Sequence, residues 1–364
     1  MKITKIGNPE VIMDNPYSKH RYFGWPTAAR LRNGKIAVVA SGFRLRHVCP
    51  FGKTVIAFSE DESKTYSLPT PVIDTPLDDR DGGITPFGEN SLIVTSFNHF
   101  LSFQRSHPSN QAYDLTYLDT VTPEEEELFI GATYRISHDG GITFGPIYKA
   151  PVSSPHGPVE LADGSLLWVG RTWPHEPCNT GVLVKDCIRA YRINTDGTSE
   201  FVGEIKNIET EEIRYLSCEP HTIALKDGTL LTHIRVQCKG EHRTFTIYQS
   251  KSSDGGKTWS KPLPILPQLG GAPPHLLQLS SGLLVCTYSH REEPYGIRAM
   301  FSRDGGESWD AGYELYVNDF SNDLGYPSTV ELADGSLTTV FYAHPKKDGY
   351  AAIMQQKWRI DDEI

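Results

Sequence analysis

Asp81, Glu219 and Tyr326 each stand eight residues ahead of a turn dipeptide, at Glu89-Asn90, Asp227-Gly228 and Asp334-Gly335 respectively. Two carboxyls and a phenol at one shared offset can do chemistry if the fold places that offset on one ring. A phenol ordinarily ionises near pH 10, at about that value in model peptides. It becomes a nucleophile when a carboxylate within hydrogen-bond reach accepts its proton. Eight residues past two turns of the same kind stand Arg171 and Arg235, and just beyond the equivalent positions lie Arg44, Arg46, His47, His290, Arg291 and His344. Guanidinium groups capture carboxylates through paired, planar hydrogen bonds. The set describes a pocket for an anionic ligand that also holds a nucleophilic or acid–base pair. For each residue alone, a solvated strand start or a surface rim is the plain alternative.

The elements that must position these groups are visible as repeats. Six segments share an apolar strand, an Asp-Gly-like turn and a second apolar strand, with turns at Asn33-Gly34, Glu89-Asn90, Asp163-Gly164, Asp227-Gly228, Ser281-Gly282 and Asp334-Gly335. Successive turns are 56, 74, 64, 54 and 53 residues apart, and each interval accommodates a four-stranded unit. A second motif, Ser-x-Asp-x-Gly-x-Thr/Ser-aromatic, recurs as Ser137 to Phe144, Ser252 to Trp259 and Ser302 to Trp309. A degraded copy runs from Ser59 to Tyr66, with Ser63 in place of the glycine. Its Asp can accept from the N–H groups of a tight turn, its Gly supplies positive φ, and its aromatic ring can pack between sheets. Repetition at this period predicts an all-β, six-bladed β-propeller over residues 1–364 as a single domain, closed by pairing Lys2 to Ile6 with Ala351 to Trp358. A pair of β-sandwiches is the competing architecture.

In each unit the Asp-containing box follows the third strand, so it shares a face with the turns between first and second strands. The opposite face then carries the starts of the first strands, which converge on the propeller axis. Eight residues before the six turns, that ring reads Trp25, Asp81, Pro155, Glu219, Pro273 and Tyr326. His156, His221 and His275 stand at or next to the strand starts of units three to five. They are expected to contact sugar hydroxyls or make structural hydrogen bonds rather than hold a metal, because they fall one register apart.

Composition narrows the function classes. Lys and Arg number 35 against 45 Asp and Glu, a formal net charge of −10, which argues against a nucleic-acid surface. The chain has no apolar run of membrane-spanning length and no apolar export segment at its start, so the expectation is a cytoplasmic protein without membrane contact, a trimmed secreted form being the alternative. The six cysteines show no close metal-type pairing and read as structural thiols. No cofactor is expected. The longest departure from the repeat, about residues 99–131 in unit two, carries Phe100, Phe103, Tyr113, Tyr117 and the acidic run Glu124 to Glu127. Insertions of this length serve as lids or as interface elements, here one through which a homo-oligomer would form.

The repeated boxes resemble the Asp-boxes of the sialidase superfamily, and the resemblance spans nearly the whole chain. Cys218-Glu219-Pro220 through to Arg235 is similar to the stretch that holds the family's catalytic Glu and second triad arginine, and Gly325-Tyr326-Pro327-Ser328 to the stretch with its nucleophilic Tyr. The resemblance implies Arg291, or else Arg298, as the third triad arginine, and Asp81 as a sugar contact. Two positions depart from the pattern. Gly24, in Phe23-Gly24-Trp25-Pro26, occupies the place of the first triad arginine. The loop Arg44 to Pro50 lacks the family's acid/base carboxylate, so His47 or a carboxylate from Asp78 to Asp81 would supply the proton.

The resemblance implies an exo-acting glycoside hydrolase that takes a terminal acidic sugar other than ordinary sialic acid. Tyr326, Glu219, Asp81 and His47 form its catalytic set, and Arg235, Arg291, Arg171, Arg44, Trp25, His156, His221 and His275 its substrate contacts. The space freed beside Trp25 is expected to suit an apolar sugar face. Sialidases use Tyr where other glycosidases use a carboxylate, because a neutral phenol is not repelled by a carboxylate on the anomeric carbon. The alternatives are a propeller lyase acting on uronate-containing glycans and a glycan-binding propeller without catalysis.

Overall fold

Six antiparallel sheets follow one another along the chain, and the chain ends are joined by an exchange of strands. Five sheets have four strands and one, in blade three, has five, because its innermost strand is split into Val152–Ser153 and Val159–Glu160. The computed structural model describes residues 1–172, 188–206, 214–239, 244–266, 269–318, 320–347 and 349–361. The first strand, Ile3–Met13, is the outer strand of the sixth sheet, where Lys5 pairs with Trp358 and Ile6 with Lys357. This joins the two chain ends within one sheet, between the segments expected to pair, and closes the six-bladed β-propeller.

The second strands of blades one and six are covered on both faces. Ile36–Arg44 of blade one and Leu337–Ala343 of blade six are buried almost throughout. Between these blades, Val38 and Ala40 share one apolar cluster with Val340, Tyr342 and Ile353. The boxes pin the outer turns. The Asp139 carboxylate accepts from Ser137 Oγ at 2.7 Å, from the Ile142 and Thr143 amides at 3.0 and 2.9 Å, and from Thr143 Oγ1 at 2.5 Å. The degraded copy keeps this geometry without its glycine. Glu62 and Ser63 adopt φ of 58° and 63°, where the intact box has Gly140 and Gly141. The Ser63 hydroxyl reaches Tyr66 Oη at 2.8 Å and Gln355 in blade six.

Residues 99–131 contain three short helices, Leu101–Ser106, Ala112–Leu118 and Pro123–Phe129. They enclose a small core of Leu77, Leu101, Leu118, Val121 and Ile130. Arg46 of blade one pairs with the buried Asp114, and Gln104 donates to Asp78 at 3.0 Å, so the insertion is bound to the blade-one and blade-two loops. Cys49, Cys218 and Cys286 are buried free thiols, while Cys178, Cys187 and the Cys238 side chain lie outside the described residues. No helix among the described residues is long and apolar enough to cross a membrane.

Candidate active site

Five of the six innermost strands carry the same irregularity at their start. Pairing skips one residue between Gly24 and Thr27, Arg80 and Gly83, Cys218 and His221, Gly271 and Pro274, and Gly325 and Ser328. Within four of these bulges a non-glycine residue takes a left-handed conformation: Trp25 at φ 53°, Asp81 at 46°, Glu219 at 47° and Tyr326 at 51°. These are four of the six ring positions read from the turn offset. A side chain held there costs on the order of 1–3 kcal/mol, a kind of strain that clusters at ligand and catalytic sites.

The bulges bring three blades together at the axis. Tyr326 Oη donates to Glu219 Oε1 at 2.8 Å, Arg235 Nη1 donates to Glu219 Oε2 at 2.5 Å, and the same Nη1 lies 3.3 Å from Tyr326 Oη. Burial, then the neighbouring Glu219 and Asp81 charges, hold the Tyr326 phenol well above its ordinary pKa, so it is neutral with Glu219 positioned to take its proton. Asp81 joins them on the wall of a cavity of about 460 Å³. Its Oδ1 is buried without a hydrogen-bond partner. Burial first, with Glu219 adding to it against the opposing pull of Arg80, pushes its carboxyl up to about 7. Arg171 lines the same cavity from blade three.

Other predicted contacts lie elsewhere. Arg44 is fully buried, with both terminal nitrogens on Asp78 and its guanidinium 4.7 Å from the Trp25 ring centroid, so it braces the wall and cannot reach a ligand. Trp25 is 1 % exposed, because Arg80 stacks on it at 4.0 Å and His47 meets its edge, so the indole presents no open face to a sugar. Arg291 stays outside the cavity lining. Its Nε donates to Ala272 O at 3.0 Å and its Nη2 to Leu324 O at 3.4 Å. His47 is also outside, anchored through Nδ1 to Asp323 at 2.9 Å.

The three histidines face a second cavity of about 450 Å³, farther along the innermost strands toward the turns. Their ring centroids are 4.5 to 4.9 Å apart. His221 Nδ1 accepts from the Leu276 amide at 2.7 Å and His275 Nδ1 from the Thr329 amide at 3.3 Å, which places the proton of each neutral ring on Nε2 and leaves no lone pair there for a metal. Burial drives all three rings well below the usual imidazole range, His221 to about 3. These residues are therefore removed from the Tyr326 pocket.

Sequence reading missed several residues of the pocket. Arg80 lines it beside Asp81, and Gln237 does so two positions beyond Arg235, where strand alternation returns a side chain to the same face. Phe97, His99 and Phe103 build an aromatic wall, with centroids 5.0 Å apart for the first pair and 4.2 Å for the second. A carboxylate cluster was also missed. Asp323 Oδ1 accepts from His47 and Tyr342, and Oδ2 from Tyr22 and His344, at 2.9 to 3.2 Å. The space expected beside Trp25 is filled by this cluster. A Cβ at Gly24 would meet the Tyr22 ring at 3.3 Å and the Tyr342 ring at 3.7 Å.

Residues 115–339 match the family described as the BNR repeat-like domain. The chain belongs to the BNR repeat-like family. Among solved structures, this BNR propeller is similar to a Dyadobacter fermentans protein of unknown function, at 19 % identity and a TM-score of 0.76, over 98 % of this chain and 99 % of that one. It is also similar to the NanB sialidase of Streptococcus pneumoniae, at 13 % identity and 0.68, over 98 % of this chain and 71 % of that one. The intramolecular trans-sialidase of Ruminococcus gnavus follows at 14 % and 0.62, over 97 % of each chain. No curated protein matches the sequence. The fold is that of a sialidase-like BNR propeller.

Proposed function

We propose that this BNR propeller is an exo-acting glycoside hydrolase that removes a terminal acidic sugar through a Tyr326–Glu219 nucleophile pair. The observation that carries the reading is the 2.8 Å bond from Tyr326 to Glu219, inside a cavity that also holds Arg235 and Asp81. In the first step Tyr326 Oη bonds to the anomeric carbon while Glu219 takes the phenol proton. The glycosidic bond breaks as Asp81 gives its proton to the departing oxygen. In the second step Asp81 takes a proton from water as that water attacks the anomeric carbon. The tyrosyl oxygen departs and recovers its proton from Glu219, which restores the starting state. Asp81 is the better proton donor because it lines the cavity with its carboxyl raised to about 7, whereas His47 is directed at Asp323.

The test is to trap the intermediate. Slow fluorinated glycosyl donors covering neutral and acidic sugars, followed by peptide mass spectrometry, should leave one glycosyl unit on the peptide containing Tyr326. A label on another side chain, or no label from a donor that the protein turns over, overturns the assignment.

A further inference from the structure

We infer that the substrate's carboxylate seats on the blade-two to blade-four side of the pocket, against Arg80, Arg171 and Arg235, and that the preferred sugar is a hexuronic acid rather than a 2-keto sugar acid. This rests on the glycoside reading above and specifies its substrate.

In a 2-keto sugar acid the carboxylate is bonded to the anomeric carbon itself. Its guanidinium partners must then crowd the phenol from blades one, four and five. Blade one has none to give: Gly24 stands there, and the rings of Tyr22 and Tyr342 already fill the adjoining space. Both phenols donate to Asp323, so this flank carries a fixed carboxylate of the chain's own. His344, His47 and Tyr22 donate to Asp323 against the cost of its burial and keep it ionised. Blade five is no better supplied, because Arg291 spends Nε and Nη2 on the Ala272 and Leu324 carbonyls. The Arg291 guanidinium carbon lies 6.0 Å from the Tyr326 ring centroid but outside the cavity lining. Arg235 is therefore the lining arginine in contact with the phenol, and its Nη1 is shared between Glu219 and Tyr326.

The arginines that blades two to four contribute are placed differently. Arg80 and Arg171 join Arg235 on the cavity wall. The Nε groups of Arg80 and Arg235 are buried donors without a partner. Arg80 is also held in place, stacked 4.0 Å from the Trp25 ring centroid and bonded through Nη1 to the His47 carbonyl at 2.9 Å and to Asp78 at 3.2 Å, so little side-chain entropy is left to lose when Nη2 meets a ligand. In a hexuronic acid the carboxylate is three bonds from the anomeric carbon, across the ring oxygen. It can therefore reach this flank while the anomeric carbon faces Tyr326. Phe97, His99 and Phe103 line the same cavity and offer an apolar surface to the sugar ring or its leaving group. Burial keeps His99 neutral, with its pKa pushed down to about 3.

Calorimetric titration of the full chain with glucuronate, galacturonate, glucose and N-acetylneuraminate tests the assignment. One of the uronates should bind roughly tenfold or more tighter than glucose, as expected for a charge-assisted contact, and N-acetylneuraminate should bind more weakly than that uronate. Arg171→Ala should remove most of this preference and Arg171→Lys should restore part of it, with an unchanged melting temperature showing that the variants fold. Tighter binding of N-acetylneuraminate, a preference indifferent to Arg171→Ala, or no binding of any of the four overturns the inference. Binding needs no turnover, so the two readings fail separately. Arg171-dependent uronate binding without cleavage of any α- or β-linked glucuronide or galacturonide would sink the hydrolase and leave the carboxylate seat standing. An unsaturated product absorbing in the near ultraviolet would do the same in favour of elimination.

Discussion

Tyr326 of blade six donates its phenol proton to Glu219 of blade four at 2.8 Å, although the two residues are 107 positions apart in the chain. Both occupy the left-handed position of the same bulge, so the contact arises from the propeller's repeat and is not a local accident. If Glu219 activates the phenol, Glu219→Gln and Tyr326→Phe should each lower kcat/KM by about 10²- to 10⁴-fold, and the double variant should lose little more than either single one. Losses that multiply in the double variant would mean that the pair does not act as a unit.

The ring was legible in the sequence because one bulge and one turn fix the same eight-residue interval in blade after blade. Arg171 and Arg235 were legible at their shared offset past the turns, whereas the roles of Arg80 and Arg291 were not. Arg80 and Asp81 are adjacent, and both reach the cavity only because the bulge breaks the in-and-out alternation that would send one of them away. Arg291 sits at a suitable offset, yet its direction is decided by the carbonyls of Ala272 and Leu324, which no offset encodes. The three histidines follow the same logic. Sequence placed them near the strand starts, but standing one or two residues past the ring positions Pro155, Glu219 and Pro273 is enough to put their side chains in the second cavity.

Asp81 sets an expected pH dependence. Its carboxyl is raised to about 7, chiefly by burial, so it is protonated and able to donate below that pH and loses the proton above it. On a substrate with a poor leaving group, kcat/KM should fall as pH rises through about 7, and Asp81→Asn should abolish that limb while slowing the reaction by about 10²-fold or more. With a nitrophenyl leaving group, the limb and the penalty should both shrink. An alkaline limb that persists in Asp81→Asn would transfer the donor role to another group.

The filled space at Gly24 predicts the outcome of restoring the family arginine. A Cβ there lies 3.3 Å from the Tyr22 ring, so Gly24→Arg overpacks a buried site and should lower stability by about 1–3 kcal/mol. It should not confer sialoside cleavage, and the wild-type chain should be poor or inactive on ordinary sialosides. Thermal melting and a fluorogenic sialoside assay check both points. Gain of sialidase activity in the variant would show that Tyr22 and Tyr342 yield more readily than their packing implies.

The boxes predict acid sensitivity. Hydrogen bonds from Thr258 and Ser252 hold the Asp254 carboxyl down at about 2, and equivalent bonds hold Asp139 and Asp304 lower still. A depressed carboxylate stabilises the fold above its unfolded pKa, near 3.9, and that contribution is lost as pH falls toward the folded value. The contribution of the boxes to the melting temperature, read as the difference between wild type and box variants, should therefore be nearly constant from pH 7 to about 4.5 and fall between about pH 4 and 2. Asp254→Asn should lower the melting temperature at pH 7 and weaken the fall at low pH. A variant with an unchanged acid profile would show that the boxes are not the groups that titrate.

Asp323 is the acceptor for two imidazoles and two phenols, and its replacement separates electrostatics from shape. Its hydrogen bond is the largest cause of the raised pKa of His344. A raised histidine contributes stability that is complete below its unfolded pKa, about 6.5, and is lost as pH rises through the folded value. Asp323→Asn keeps the volume but removes the charge, and its amide supplies one acceptor oxygen where four donors converge. The variant should lose on the order of 1–3 kcal/mol of stability. The loss should diminish as pH rises through the raised His344 value, because only the protonated ring gains from the Asp323 charge. In proton NMR, the His344 ring should titrate at a lower pH in the variant than in the wild type. An unshifted His344 titration would mean that the charge of Asp323 is not what holds the imidazolium. The cluster would then fill the blade-one flank of the pocket by shape alone.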